Sequence, residues 1–405
     1  MKITKCRACK KQSLKLLFSL GKLCFTGKFP SFNQNIKKKP ITLMMCKNCK
    51  LVQLGHNFDL RYLYGPDYGY RTGINNTMLN HVKKVVNYLS FKAKLKKNEL
   101  VLDIASNDGS LLNFYKKNVV TFGIDPILKK YTSQYKEIDY KIDDFFSAEK
   151  IKKKTKKKFK VVTALSVFYD AKDPNAFLYD VRKILSHEGI FMLELADLHS
   201  IIKYKMFDTI CHEHLEYYSS EVIINLAKKN GLKVFDIKRN RINGGSKQYY
   251  MCLTSSKYKI NFRKIKKEIT EEKKFKLSNE NTFKKFFKEI NFIKSKIYHK
   301  LKNFKKNGKS IHCYGASTKG NVLLQYFKID KNIIDFVAER NKKKYNLYTP
   351  GTKIKIISEK LSRSLKPDYY FVLPWHFKDE ILSREKNSIK KGIKFIFPLP
   401  KLTII

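Results

Sequence analysis

No stretch of the 405 residues approaches the roughly 18 uninterrupted apolar positions that a membrane-spanning helix needs. The N-terminus also lacks the basic-then-apolar pattern of a secretory signal. A cytoplasmic protein with no membrane partner is therefore expected. Acidic residues are scarce: 35 Asp and Glu stand against 85 Lys and Arg, a formal charge of +50. Such an excess can serve nucleic acid, a membrane surface or an anionic small substrate. A nucleic-acid footprint, however, gathers on one face or stripe. Here lysine runs through every segment, with abundant Ile, Asn, Phe and Tyr, so the excess reads as a general surface bias and no specific nucleic-acid partner is expected. The runs at 152–158 and 264–276 read as exposed turns and helix faces.

Cysteine is sparse and unevenly placed. Of eight, four form two pairs near the N-terminus, Cys6-Arg7-Ala8-Cys9 and Cys46-Lys47-Asn48-Cys49. Without a secretory signal this spacing points to metal rather than disulfides. Four thiolates close a tetrahedral Zn²⁺ site with no open position, which makes the ion structural. Cys24, between the pairs, reads as a small buried hydrophobe.

Apolar segments between the pairs suit short strands. A polar, aromatic stretch with Tyr62, Tyr64, Tyr68 and Tyr70 leads into a helical pattern over 75–89. Short apolar strands then alternate with longer segments at 100–104, 119–124, 159–164 and 190–195, leaving room for helical crossovers and a parallel doubly wound sheet. A second alternating unit runs from Ser310 to about Phe397. Between the two units, lysine-rich residues 257–307 place Phe283, Phe286, Phe287, Ile290, Ile293, Ile297 and Leu301 at helical spacing, which predicts one or two connecting helices.

Glycine is missing where a dinucleotide would need it. The first strand of the sheet ends in Asp103-Ile104-Ala105-Ser106-Asn107-Asp108-Gly109, a turn at the strand end where open α/β sheets bind ligands. A pyrophosphate calls for three glycines, and Gly109 stands alone. S-adenosylmethionine carries no phosphate and tolerates such a turn. Its ammonium suits Asp103, and its ribose hydroxyls suit Asp125 at the end of the second strand. Asp144-Phe145-Phe146 falls where the third strand should end, a rim for adenine.

Further on, Cys211-His212-Glu213-His214 gathers a thiol, an acid and two imidazoles. By itself His-x-His can be a metal pair, a solvated loop or a general base. Carbon methylation removes a proton from carbon, and a neutral imidazole titrating near ~6.5 is suited to it, with a neighbouring Glu to orient and charge-stabilise the ring.

These motifs together resemble the sugar C-methyltransferase family, over nearly the whole chain. The two cysteine pairs, the loop 101–112, the His-Glu-His segment and Asn243-Gly244-Gly245-Ser246 carry the likeness. So do Tyr314-Gly315-Ala316-Ser317-Thr318-Lys319-Gly320-Asn321, Tyr348-Thr349-Pro350-Gly351-Thr352 and Leu373-Pro374-Trp375. The fold implied is α/β, with an N-terminal four-cysteine zinc domain followed by two Rossmann-like doubly wound parallel-sheet domains. Its expected bounds are 1–55 for the zinc domain, 56–255 for a class I S-adenosylmethionine-dependent methyltransferase domain, 256–308 for a helical connector and 309–405 for a sugar-nucleotide-binding domain.

The resemblance implies methyl transfer to a carbon of a nucleotide-linked keto-hexose. His214 would be the acid/base, with Glu213, Cys211 and Tyr70 beside it. Asp103, Ser106, Asn107, Gly109, Asp125 and Asp144 would hold the cofactor. Tyr314, Gly315, Lys319 and Asn321 would hold the substrate, Lys319 at a helix N-terminus suiting its diphosphate. Cys6, Cys9, Cys46 and Cys49 would hold Zn²⁺. Departures from the family pattern are Cys211 for a Tyr, Ala105 for a Gly, the loop 166–170 where some members have a His, and Glu339 and His376 for Asp and Asn. Alternatives are methylation of another small molecule or of a glycan oxygen, a zinc-containing nucleic-acid-binding protein, and a scaffold that has lost catalysis.

Overall fold

The computed structural model describes residues 1–65 and 68–405. Its first sheet pairs β1 (Leu14–Cys24), β2 (Lys38–Cys46) and β3 (Val52–Leu54) as an antiparallel meander. The two cysteine pairs sit in turns at the ends of these strands, where Lys10 and Lys50 take the left-handed conformation just after Cys9 and Cys49. All four Sγ atoms lie within 4.8 Å of one another, with Cys6 to Cys49 at 3.6 Å and Cys9 to Cys46 at 3.5 Å. Thiolates bound at about 2.3 Å around a tetrahedral ion stand roughly 3.8 Å apart, so the residues fit zinc. Cys24 lies outside the cluster, its thiol donating to the Ile36 carbonyl. It is a buried hydrophobe, as expected.

The second sheet has the order β10-β11-β8-β7-β4-β5-β6. Its strands are β4 (Leu100–Ile104), β5 (Val120–Ile124), β6 (Tyr140–Ile142), β7 (Phe159–Leu165), β8 (Leu185–Ala196), β10 (Leu232–Asn240) and β11 (Ser246–Leu253). Strands β4 to β8 run parallel and β11 is antiparallel to β8, which turns the last strand back between β8 and β10. Every residue of β4 is buried, in keeping with a central parallel strand covered on both faces. The helix Asn76–Lys92 covers one face. Asn75 caps it, and Met78, Val82, Val85, Val86 and Leu89 form its buried stripe.

The remaining strand before the connector, β9 (Glu216–Tyr217), does not join this sheet. It pairs antiparallel with β3, Val52 opposite Tyr217 and Gln53 opposite Glu216, so the His-Glu-His segment feeds into the zinc-binding sheet. The connector is two helices, Phe262–Lys274 and Glu280–Lys306. The first is tied to β11 by Lys247, fully buried, whose ammonium reaches Glu272 at 2.5 Å and Glu268 at 3.2 Å. The second packs Phe286 and Phe287 on Phe18 of β1.

The third sheet, β14-β13-β12-β15-β16-β17, is parallel but for its last strand. Its strands are β12 (Ile311–Tyr314), β13 (Phe336–Glu339), β14 (Lys355–Ser358), β15 (Tyr369–Val372), β16 (Lys394–Phe397) and β17 (Thr403–Ile404). The zinc-binding segment has no core to itself: Phe18, Leu20, Ile41 and Leu54 share one apolar cluster with the third sheet, and Cys6, Ala8 and Leu51 share another with the second. No helix of the described residues is long and apolar enough to cross a membrane.

Because the zinc-binding sheet borrows its core from both neighbours, metal loss should be felt beyond it. Cys46→Ser, or chelation, is expected to release zinc and lower the melting temperature by roughly 10 °C or more, read by metal analysis and calorimetry. An unchanged melting temperature after complete metal loss would contradict a structural ion.

Candidate functional site

The carboxyl ends of β4, β5 and β7 open into a cavity of about 640 Å³, closed on the opposite side by the loops after β12 and β13. At the β4 end Asp103 accepts from the Thr163 hydroxyl at 2.6 Å. The turn that follows holds Ala105, Asn107 and Gly109 at positive φ. Of these Gly109 is the tightest, since a Cβ would stand 2.7 Å from Ile138. Asp125 receives the backbone N–H of Asn107 at 2.9 Å and of Ile127 at 2.8 Å. Burial pushes the Asp103 carboxyl up to about 7 and that of Asp125 up to about 6. Two acids so desolvated suit a cationic ligand, whose charge would restore their ionised forms. The lead-in segment clamps the same turn: Asn107 donates to the Tyr70 carbonyl, and Asp108 accepts from Arg71 and from the Gly73 N–H.

Opposite lies the His-Glu-His segment. His214 Nδ1 is 2.8 Å from the Thr209 carbonyl oxygen, an acceptor only, so the ring proton sits on Nδ1 and Nε2 carries the lone pair. Burial, reinforced by the Lys319 ammonium and opposed by the Thr209 bond, draws the imidazole down to about 3. The Tyr169 ring packs on it at 4.1 Å. Glu213, the expected orienter, turns away to the zinc-binding sheet, where its carboxylate accepts from the Gly27 N–H at 3.0 Å and the Thr26 hydroxyl at 3.1 Å. The Thr209 carbonyl orients the ring instead. Cys211 is fully buried, and burial followed by the Glu213 charge holds its thiol well above the usual range. His212 points the other way, packed on Phe25 and Phe58 with Nε2 on the Lys39 carbonyl. Among the described residues the four cysteines alone form a metal-type cluster, so His-x-His is no metal pair there.

From the third sheet, Gly315 follows β12 at φ +81°, where a Cβ would strike Pro374 at 2.8 Å. Lys319 crosses the cavity to donate to the Asn243 carbonyl at 3.1 Å. Burial lowers its ammonium, opposed by Asp208 and Cys211, and Asp208 in turn accepts from Trp375 Nε1 at 2.8 Å. Tyr314 donates to Glu385 at 2.8 Å. Arg340 and Arg384 also face the cavity. Thr77 donates to Glu380 at 2.5 Å, tying the second unit to the third.

Tyr70, Asp103, Ser106, Asn107, Asp125, Asp144, Cys211, Glu213, His214, Tyr314, Gly315 and Lys319 thus meet around one cavity. Two expected residues do not. Gly109 lies inside its turn, packed on Ile138 and Tyr135, and shapes the loop without facing the cavity. Asn321 is buried and donates to the Thr26 carbonyl at 2.7 Å, so it braces the loop that holds Glu213 rather than reaching a substrate. Sequence reasoning missed Tyr64, Arg340 and Arg384, and gave Tyr169 and Asp170 no role. The last pair lie in the turn after β7, where the strand-end rule would have pointed.

A cavity of this kind at the carboxyl ends of a seven-stranded sheet with its last strand reversed defines an S-adenosylmethionine-dependent methyltransferase. Three family models match in series: "Putative zinc binding domain" over 6–64, "Methyltransferase domain" over 75–237 and "C-methyltransferase C-terminal domain" over 241–400. The chain is 25% identical to C-methyltransferase NovU of Streptomyces niveus over 369 residues, covering 90% of this chain and 87% of that protein. Its sequence thus matches, in order, models of a zinc-binding domain, a methyltransferase domain and a C-methyltransferase C-terminal domain. Among solved structures, an S-adenosylmethionine-dependent methyltransferase of Clostridium acetobutylicum aligns at 12% identity and TM-score 0.35, covering 43% of this chain and 92% of that one. Magnesium protoporphyrin IX methyltransferase of Synechocystis aligns at 15% and 0.35, covering 48% and 93%.

Glu213 reaches the Gly27 N–H because residue 27 has no Cβ; one would stand 2.8 Å from Glu213 Oε1. Gly27→Ala is expected to dislodge Glu213 and cut turnover about tenfold or more while leaving S-adenosylmethionine affinity unchanged, measured by steady-state kinetics and calorimetry.

Proposed function

We propose that this enzyme methylates a carbon of a nucleotide-linked keto-deoxysugar, in a cytoplasmic setting, with His214 as the base. The observation that carries the reading is the lone pair on His214 Nε2, fixed by the Nδ1 bond to Thr209, inside a cavity with acids on one wall and Lys319, Arg340 and Arg384 on the other. Asp103 would take the cofactor's ammonium and Asp125 its ribose. Ser106, Asn107 and Asp144 would line the remainder of that wall. Bound S-adenosylmethionine supplies an electrophilic methyl group.

On the opposite wall Lys319, Arg340 and Arg384 suit a diphosphate, and Tyr314 and Gly315 leave room for the nucleoside. His214 Nε2 takes the proton from the carbon beside the ketone. The electron pair left there would take the methyl group as its bond to the sulfonium sulfur breaks and leaves the neutral thioether, while Thr209 would hold the imidazolium through Nδ1. Lys319 disfavours that imidazolium in the empty site, but the negative enolate offsets the repulsion when substrate is present. Cys211, buried with its thiol held protonated, lines the cavity beside His214, and Tyr70 lines it from the lead-in.

Three measurements test this. With S-adenosylhomocysteine bound, the enzyme should exchange solvent deuterium into one α-carbon of a nucleotide 4-keto sugar, read by mass spectrometry; no exchange across a panel would remove the keto-sugar acceptor. His214→Ala should retain S-adenosylmethionine binding and lose turnover by about 10²–10⁴. The third concerns pH. Asp103, raised to about 7, is ionised above that pH and protonated below it. S-adenosylmethionine affinity should therefore weaken as pH falls from 7 to 5, approaching about tenfold per unit, and the trend should vanish in Asp103→Asn.

A further inference from the structure

Removing a proton beside a ketone places negative charge on the ketone oxygen, and a base alone leaves that charge unheld. Most donors near His214 are committed elsewhere. The Tyr64 hydroxyl bonds Asp170 Oδ2 at 2.7 Å, Lys319 bonds the Asn243 carbonyl at 3.1 Å on the diphosphate side, and the Cys211 thiol is a weak donor. Tyr169 differs. Its ring centroid lies 4.1 Å from that of the His214 imidazole, and it lines the same cavity. Its hydroxyl is not sealed into the core as those of Tyr115 and Tyr218 are, and among the described residues no carboxylate or carbonyl takes its proton. The chain fixes this ring. Tyr169 belongs to the turn Phe168–Asp170 after β7, its carbonyl accepts from the Leu215 N–H at 2.7 Å, and Phe168 stacks on Tyr218 at 5.0 Å. Because Leu215 follows His214, phenol and imidazole are tied together. Strand β7 also pairs with β4, and its Thr163 hydroxyl bonds Asp103, so the turn joins the cofactor wall to the histidine. Burial, with the Asp170 charge adding to it and the Ser166 side chain opposing, holds the phenol well above its ordinary range, so it remains a donor wherever His214 is neutral.

We infer that the Tyr169 hydroxyl is the donor that holds the ketone oxygen of the acceptor while His214 removes the adjacent proton. The inference rests on the keto-sugar reading above. In this step the C–H electron pair moves into the bond between the α-carbon and the carbonyl carbon, and the carbonyl π pair moves onto oxygen. His214 Nε2 gains the proton. Tyr169 keeps its own and gives the oxygen a charge-assisted hydrogen bond, which strengthens as the charge develops and so favours the transition state over the bound ketone. The pair on oxygen returns to re-form the ketone when the α-carbon takes the methyl group.

The test uses the full zinc-loaded enzyme and follows deuterium exchange at the α-carbon of a nucleotide 4-keto sugar with S-adenosylhomocysteine bound. Tyr169→Phe keeps the ring against His214 and removes only the hydroxyl. Exchange and kcat should both fall about 10²-fold, with KM and the affinities for S-adenosylmethionine and S-adenosylhomocysteine unchanged. Equal exchange in Tyr169→Phe and wild type overturns the inference and leaves the keto-sugar reading standing. No exchange in wild type across a panel of such sugars overturns that reading and the inference with it. A loss in Tyr169→Phe of S-adenosylmethionine affinity but not of S-adenosylhomocysteine affinity assigns the hydroxyl to the sulfonium and also overturns it. Should the variant not fold, judged by zinc content and S-adenosylhomocysteine binding, 3-fluorotyrosine in place of Tyr169 decides, being a stronger donor of nearly the same shape. Exchange about twofold faster or more is then expected, and an unaccelerated rate overturns the inference.

Discussion

The pairing of β9 with β3 is the constraint on which the site depends. Glu216 and Tyr217, just after the His-Glu-His segment, add to the edge of a three-stranded sheet, and the Leu54 N–H donates to the Leu215 carbonyl at 2.8 Å. From within the first cysteine pair Arg7 reaches the Leu54 and His56 carbonyls and stands 3.8 Å from Glu216. The zinc turn, the short strand and the His-Glu-His segment are thereby one object. A two-stranded edge this short has little stability alone. It persists because the metal fixes the turns that flank it and because Glu213 is held by Thr26 and Gly27.

From this follows the role of the small N-terminal sheet. It wedges between the two Rossmann-like units, contributing apolar residues to the clusters of each. Asn321 and Gln325, on the helix Thr318–Phe327 of the third unit, bond to the Thr26 carbonyl and to Cys24. The loop that grips Glu213 is therefore supported from the third unit, while the opposite wall of the cavity is built on β4 and β5. The two walls answer to different parts of the fold.

Charge is distributed in a way that the net value conceals. The chain carries +50, yet the cavity gathers Asp103, Asp125, Asp170 and Glu213, all buried. Exposed lysines are screened within about 10 Å by salt, whereas buried groups interact through a lower dielectric. A few acids inside thus weigh more on ligand choice than dozens of lysines outside.

Much of the architecture was legible from contiguous residues. The buried strands at 100–104 and 159–165, the capped helix after Asn75, the paired helices of the connector and the four-cysteine cluster all follow from local periodicity or spacing, which a segment carries wherever it lies. His214 and Asp103 were visible because chemistry demands such groups at a strand end or beside a carbonyl. The grip of Thr26 and Gly27 on Glu213 and the turning of Asn321 to the Thr26 carbonyl were not legible. Those contacts join residues up to 295 positions apart, and neither partner's neighbourhood marks it. The sequence by itself determined which elements form and that four cysteines gather near the N-terminus. Only the tertiary structure decided which carbonyl sets the histidine tautomer and which groups hold Glu213, because both depend on how separate segments pack rather than on any run of residues.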